Sequence, residues 1–211
     1  VGVYLNWSEE LTGSQGTEIL RISDNLVTPL YTSMVLIFIF LCPAISMRLF
    51  SEEIKQNTME LLLTAPISTA EIVLGKFLGA MGFITVMLLC TLYAPAFLYW
   101  WQPHDLMPYV GSYLGLWCMS AGLISMGMWF SSWSSNQIAA LIPSFALGLG
   151  LYLLAFSGSG GGDWVTQLAL GTHVNEFFRG VLQLSDLSYF ALMTTFFLLA
   201  THQRLEANRW R

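Results

Sequence analysis

The chain has 211 residues, of which 55% are hydrophobic and only 10% are charged, and it contains eight tryptophans. This composition excludes an ordinary water-soluble domain and is typical of an integral membrane protein. The formal net charge of −5 offers no basic surface to a nucleic acid, so we expect no nucleic-acid partner.

Asp, Glu, Lys and Arg are missing from four long stretches, 25–47, 77–104, 106–162 and 187–203. A helix needs about 20 apolar residues to cross the ~30 Å hydrocarbon layer, and a charge at its centre costs about 2.5–3.5 kcal/mol. A membrane β-barrel would instead show alternating strands of about 10 residues, a pattern that the sequence lacks. We therefore predict an all-α, polytopic helical membrane protein with a single transmembrane domain over 1–211.

Five spans are predicted, at about 29–47, 74–100, 108–130, 138–157 and 187–203. The third and fourth come from the longest uncharged stretch, which the polar segment 131–137 divides. Pro43 predicts a kink in the first span. Gly115, Gly122 and Gly127 in the third predict close contact between helices, because small residues let membrane helices approach each other.

Basic residues indicate how the spans are oriented. Six of the eight Lys and Arg residues fall in the 48–76 region and in the tail after residue 203. By the positive-inside rule the loop 48–73 and the C-terminus are cytoplasmic, and the segment 163–186 is external. Residue 1 then lies outside without a start methionine. We expect a preceding span and six spans in the intact protein, the alternative being a natural external N-terminus.

The cytoplasmic loop has the pattern of a short surface helix. Ser51 is a suitable helix start, two glutamates follow it, and apolar residues then recur at helical spacing, which predicts an amphipathic helix over 51–63. Pro66 ends this helix, and Ser68 or Thr69 can cap the next one. Taken alone, such a loop is more often a solvated connection than a docking surface.

The external segment 163–186 also carries apolar residues at helical spacing. They predict two short amphipathic pieces on either side of residues 171 and 172. His173, Glu176 and Arg179 are three residues apart and can interact along one helix, which we interpret as local support.

Nothing in the sequence predicts catalysis, cofactor binding or a metal site on this chain. The three histidines, His104, His173 and His202, lie near predicted span ends, and neither a phosphate-binding loop nor a Gly-x-Ser-x-Gly motif occurs. The three cysteines lie in apolar runs, where we expect buried packing residues and no disulfide or metal: Cys42, Cys90 and Cys118.

Two segments resemble a known family. The stretch 52–68, with Glu52-Glu53 followed by Thr-Met-Glu-Leu-Leu-Leu-Thr-Ala-Pro-Ile-Ser, and the pair Gly75-Lys76 resemble the cytoplasmic signature of ABC-2-type transporter permeases. The far end, from His173 through Phe-Phe-Arg-Gly-Val to the basic tail, is similar to the gliding-motility-type branch. These segments cover about a third of the chain.

The resemblance implies a permease subunit of an ATP-driven exporter in the bacterial inner membrane, paired with a second permease copy or paralogue. Two separate ABC ATPase subunits would bind ATP and Mg, so no cofactor is expected on this chain and it is not itself an enzyme. In this family the loop after the second of six spans forms a coupling helix in a groove of the ATPase. The residues expected to contact the ATPase are Glu52, Glu53, Lys55, Gln56, Thr58 and Glu60.

The resemblance also implies that the external segment is a helical hairpin dipping into the outer leaflet, the alternative being a loop lying at the interface. Its characteristic residues are Trp164, His173, Phe177, Phe178 and Arg179. The substrate implied is amphipathic, lipid-linked or polymeric. The alternative function is a non-transporting anchor whose ATPase does mechanical or regulatory work on a periplasmic partner.

Overall fold

The structure is a computed structural model that describes residues 28–59, 67–93, 107–156, 163–178 and 183–209. Helices account for nearly all of these residues, and no strand occurs among them. In chain order they are α1 (Thr28–Ser46), α2 (Arg48–Lys55), α3 (Thr69–Thr91), α4 (Met107–Ser131), α5 (Gln137–Leu153), a 3-10 turn (Leu154–Phe156), α6 (Asp163–Leu168), α7 (Leu170–Phe178) and α8 (Leu184–Arg209).

Five helical stretches of the described chain are long and apolar enough to cross a membrane. They cover Tyr31–Lys55, Thr69–Thr91, Tyr109–Ser131, Gln137–Phe156 and Leu184–Ala207. The prediction of an all-α polytopic membrane protein is confirmed. The first stretch joins α1 and α2, which only Met47 separates, and α1 continues through Pro43.

Helix α4 forms the centre of the helical body. Its most apolar window is 78% buried, against 22–39% in the other four candidate spans. Small residues permit this burial: a Cβ on Gly115 would lie 2.7 Å from Phe177 Cβ, and one on Gly122 would lie 3.1 Å from Met193 Sδ. The predicted close helix contacts through small residues are therefore confirmed.

The helices alternate in direction, so their connections gather at two ends of the body. The connector end comprises α2, the start of α3, the turn between α4 and α5, and the last turns of α8. The α6–α7 end comprises α6, α7 and the start of α8. All five Lys and Arg residues in the described part of the chain lie at the connector end.

Helix α3 begins with a complete capping box. The Glu71 N–H donates to Ser68 Oγ at 3.2 Å, and the Ser68 N–H donates to Glu71 Oε2 at 2.8 Å. These bonds satisfy two of the N–H groups that a helix start leaves unpaired. Ser68, rather than Thr69, is the residue that caps this helix.

The cysteines differ in environment. Cys42 and Cys118 are buried as expected, but Cys90 is exposed. The prediction was wrong for Cys90 because it lies on the outward face of α3, and an apolar run does not reveal which face of a membrane helix meets its neighbours.

Candidate functional site

Helix α2, which we call the connector helix, begins at Arg48 and not at Ser51 as predicted. Met47 keeps helical dihedral angles, so α2 follows directly from α1 and needs no side-chain cap. Ser51 is buried within the helix, and its hydroxyl donates to the Met47 carbonyl four residues back. A serine that bonds in this way belongs to a helix interior.

The connector helix ends at Lys55, before the predicted bound of 63. Asn57 has φ of 56°, a left-handed conformation that ends a helix and that Asn tolerates better than most residues. The Thr58 N–H donates to the Glu53 carbonyl at 3.0 Å, closing the helix end. Residues 60–66, including Glu60, lie outside the described chain.

The connector helix is amphipathic, as predicted. Phe50 and Ser51 are fully buried, whereas Arg48, Glu52, Lys55 and Gln56 are exposed. The exposed residues recur at three- and four-residue intervals and so share one face. This face is charged, and it includes three of the six residues expected to contact an ATPase.

Glu53 has a different environment from its neighbour Glu52. It is half-buried and lies 2.5 Å from Lys76 Nζ, in α3. Lys76 also donates to the Leu49 carbonyl and lies 4.7 Å from the ring centroid of Phe50. Glu53 thus joins the connector helix to a membrane-spanning helix, and the partly buried Thr58 hydroxyl donates to its carbonyl at 3.4 Å.

Ser131, the last residue of α4, makes the second attachment of the connector helix. Its Oγ accepts from the N–H groups of Phe50 at 3.1 Å and Ser51 at 3.0 Å, and it donates to the Met47 carbonyl at 2.8 Å. The hydroxyl therefore uses its one hydrogen and both lone pairs. The sequence indicated only that Ser131 begins a polar break, because its partners are 80 residues or more away.

Helix α8 is also fastened at the connector end. Thr69 Oγ1 lies 3.1 Å from His202 Nδ1, which joins the start of α3 to the end of α8. The guanidinium of Arg204 lies 4.6 Å from the ring centroid of Trp133, in the turn after α4. The start of α3, the turn after α4 and the last turns of α8 are thus linked next to the connector helix.

At the opposite end, α6 and α7 meet at Ala169, not at residues 171 and 172 as predicted. Gly171 lies inside α7 and allows close packing: a Cβ there would lie 2.9 Å from Ala155 Cβ and 3.1 Å from the Tyr152 carbonyl oxygen. The prediction was wrong because the glycine serves a contact between helices and not a turn.

His173 reaches the last span. Its Nδ1 lies 2.7 Å from Asp186 Oδ1, its Nε2 lies 2.9 Å from the Gln167 carbonyl oxygen, and its ring stacks on Tyr189 with centroids 4.2 Å apart. His173 therefore contacts α8 and not Glu176. Arg179 lies outside the described residues.

The remaining predicted residues of this segment are apolar. Phe177 is buried against Gly115 of α4, and Phe178 packs on Tyr31 of α1 with ring centroids 5.5 Å apart. Trp164 lies in α6, but its side chain is outside the described part of the structure. Burial of both phenylalanines makes α7 a packed component of the helical body.

No cluster of three or more His, Cys, Asp or Glu side chains that could hold a metal occurs among the described residues.

A family model described as "ABC-2 family transporter protein" matches residues 5–205. The chain belongs to this family. It is therefore a multi-pass permease subunit of an ABC transporter, and subunits of this kind work with ABC ATPases. The match does not distinguish a gliding-motility branch, and no curated protein or solved structure matches the chain.

Proposed function

We propose that the chain is half of the membrane domain of an ATP-driven exporter for an amphipathic, lipid-linked or polymeric substrate. Two ATPase subunits, holding ATP and Mg, dock on the connector helix and drive the chain together with a second permease, either a copy or a paralogue. The observation that carries this proposal is a connector helix with a charged exposed face and a firmly attached opposite face.

The distribution of charge supports a cytoplasmic connector end. The described Lys and Arg residues all lie there, whereas the other end carries the acidic residues Glu176 and Asp186. Basic residues near span ends favour the cytoplasmic side. The C-terminus is then cytoplasmic, in a bacterial inner membrane, and α2 faces the compartment that contains ATP.

The attachments of α2 support a mechanical role. It follows α1 with one intervening residue, is joined to α3 through Glu53 and Lys76, and is joined to α4 through Ser131. A force applied to its exposed face would reach three membrane-spanning helices. Short packed elements of this kind can transmit a domain movement because their contacts shift as a unit.

The spans themselves favour a substrate other than a small ion. Neither α4 nor α5 contains an Asp, Glu, Lys or Arg residue. Ion-coupled carriers usually place ionisable side chains within their spans. The chain instead offers apolar and small-residue helices, which suit a substrate that is itself partly apolar.

Charge reversal on the connector helix tests the proposal. The full chain is co-expressed with its candidate ABC ATPase, and complex formation is measured by affinity capture. We expect Glu52→Lys to weaken the complex about tenfold or more, because it reverses a charge on the face proposed to dock and so disturbs the charge complementarity of that interface. Glu176→Lys, with the same charge change at the opposite end, should leave it intact. Undiminished capture of Glu52→Lys would refute docking at this face.

The second candidate is an anchor that transmits ATPase motion to a periplasmic partner, as in the gliding-motility-type branch. Attachment of the α6–α7 segment to the last span favours it, because such a segment could pass movement outward. Single cysteines on α3 and α8, in a variant without the three native cysteines, distinguish the two. Labelling by a water-soluble reagent in one nucleotide state supports transport, and protection in every state supports the anchor.

A further inference from the structure

His173 of α7 and Asp186 of α8 face each other at a contact that water can reach only in part. Their side chains are 14% and 5% exposed, and the two atoms in contact are 2.7 Å apart. We propose that this pair is a proton-binding site which, when occupied, fastens the α6–α7 segment to the last membrane-spanning helix.

The partners of the imidazole determine how many protons the site needs. Nε2 faces the Gln167 carbonyl at 2.9 Å, and a carbonyl can only accept, so Nε2 must carry a hydrogen. Nδ1 faces a carboxylate oxygen of Asp186, which also only accepts when ionised. A neutral histidine beside an ionised aspartate can satisfy one of these contacts. One additional proton satisfies both, whether it resides on the ring or on the carboxyl.

The aspartate depends on this proton. Asp186 is buried, and its second oxygen, Oδ2, has no hydrogen-bond partner among the described residues. A buried carboxylate is costly unless it is paired or neutralised. Among the described residues the imidazole is the group that contacts it, so a proton between the two compensates the charge of Asp186.

Among the described residues, the neighbouring helices supply no competing cation. Helices α4 and α5 contain no charged residue, and the first basic residue of α8 is Arg204, at the connector end. In the described part of the chain, the titratable groups on the elements packed around His173 are Glu176, Asp186, Tyr189, Tyr31, Tyr109, Tyr113, Tyr152 and, at the start of α6, Asp163. The formal charges in this set are all negative, so within the described part of the chain a proton is the cation that can compensate Asp186.

The site joins three elements. His173 contacts α6 through the Gln167 carbonyl and α8 through Asp186, and Tyr189, on which it stacks, donates to the Leu168 carbonyl at 2.9 Å. Loss of the proton removes one of the two imidazole contacts. The α6–α7 segment is then held mainly by the apolar packing of Phe177 and Phe178. Acidity at this end would thus control how firmly the segment is attached.

Imidazole ¹⁵N NMR tests proton occupancy directly. The full chain, with labelled histidine, is placed in lipid nanodiscs, and its three histidines are assigned by single His→Gln variants. In a series from about pH 6 to about pH 9, we expect hydrogen-bonded protons at both His173 nitrogens, or one shared with Asp186, to persist to higher pH in the wild-type chain than in Asp186→Asn. A single protonated nitrogen in the wild-type protein at about pH 6, or a pH response that Asp186→Asn leaves unchanged, overturns the proposal.

Hydrogen exchange tests the fastening. After correction for intrinsic exchange, amides of 163–178 in the wild-type chain should exchange about tenfold faster at about pH 9 than at about pH 6. His173→Gln, which can hydrogen-bond but does not titrate, should remove this dependence. His202→Gln, at the other end of α8, should retain it. Equal rates in the wild-type chain, or the same pH response in His173→Gln, overturns the proposal. Neither test involves an ATPase, so failure here is separate from failure of the exporter assignment.

Discussion

The connector end and the α6–α7 end each pack a short amphipathic helix against long membrane helices, but they do so with different chemistry. The connector helix buries Phe50 and relies on polar attachments, namely the Glu53–Lys76 pair and the Ser131 hydroxyl. Helix α7 buries a row of apolar side chains, and its attachment to α4 depends on a glycine.

This difference matters for movement. Hydrogen bonds and ion pairs are directional, so they hold the connector helix in one orientation, which the proposed transmission of force requires. Helix α7 relies more on apolar packing, which is not directional, and its hydrogen bonds to neighbouring elements are concentrated at His173. The end at which we propose that force enters therefore has the more directional contacts, and substitutions that affect only one end test this distinction.

The largest effect is expected from Gly115→Ala, at the α6–α7 end. The added Cβ would lie 2.7 Å from Phe177 Cβ, so α7 must shift or distort. Overpacking of this kind costs about 1–3 kcal/mol, and we expect the upper part of this range. SDS titration gives the free energy of unfolding, and hydrogen exchange should rise in 170–178 but not in 48–55.

Gly82→Ala provides the matched control, because a Cβ on Gly82 would meet nothing within 4 Å. It should match or slightly exceed the wild-type stability, since alanine favours the helix by up to about 1 kcal/mol. If Gly115→Ala is as stable as this control, the packing of α7 against α4 is not tight and the comparison fails at this end.

Ser131→Ala should have the next largest effect, at the connector end. It leaves the N–H groups of Phe50 and Ser51 without their acceptor, and each unsatisfied buried group costs about 1–3 kcal/mol. Because the Ser51 hydroxyl and water can compensate in part, we expect about 2 kcal/mol in the SDS titration. Hydrogen exchange should rise in 48–55 and stay unchanged in 170–178, the reverse of Gly115→Ala.

Ser132→Ala separates this attachment from the loss of any buried serine. Ser132 is also buried, but its hydroxyl donates to the Trp129 carbonyl within its own helix end. The variant should lose less than half as much stability as Ser131→Ala and should leave exchange in 48–55 unchanged. Equal effects from both variants would mean that Ser131 does not hold the connector helix specifically.

The fold was largely predictable from the sequence because its determinants are local. Charge-free runs predicted the five spans, Ser68 and Glu71 have the spacing of a capping box, and glycines in α4 predicted close helix contacts. The end of α2 was not predictable in this way, because Asn57 gives only a weak preference for the left-handed conformation that breaks the helix.

The attachments of the candidate site were not predictable, because each joins residues distant in sequence. Ser131 meets Phe50 across 81 positions, and Lys76 meets the Leu49 carbonyl across 27. Glu52 and Glu53 are adjacent and chemically alike, yet only Glu53 lies on the side of α2 that meets α3. A sequence pattern predicted the amphipathic helix, but the packing partners decide which glutamate meets α3 and which stays on the exposed face.

The smallest effect is expected from the Glu53–Lys76 pair itself. A double-mutant cycle with Glu53→Gln and Lys76→Met measures its coupling, which we expect to be about 1 kcal/mol because the side chains are 30% and 20% exposed. The coupling should weaken in high salt, since exposed charges are screened. A parallel cycle with Glu52→Gln should give none. If the Glu53 cycle also gives none, Ser131 alone orients the connector helix, and a force on α2 would reach α3 only through α1 and α4.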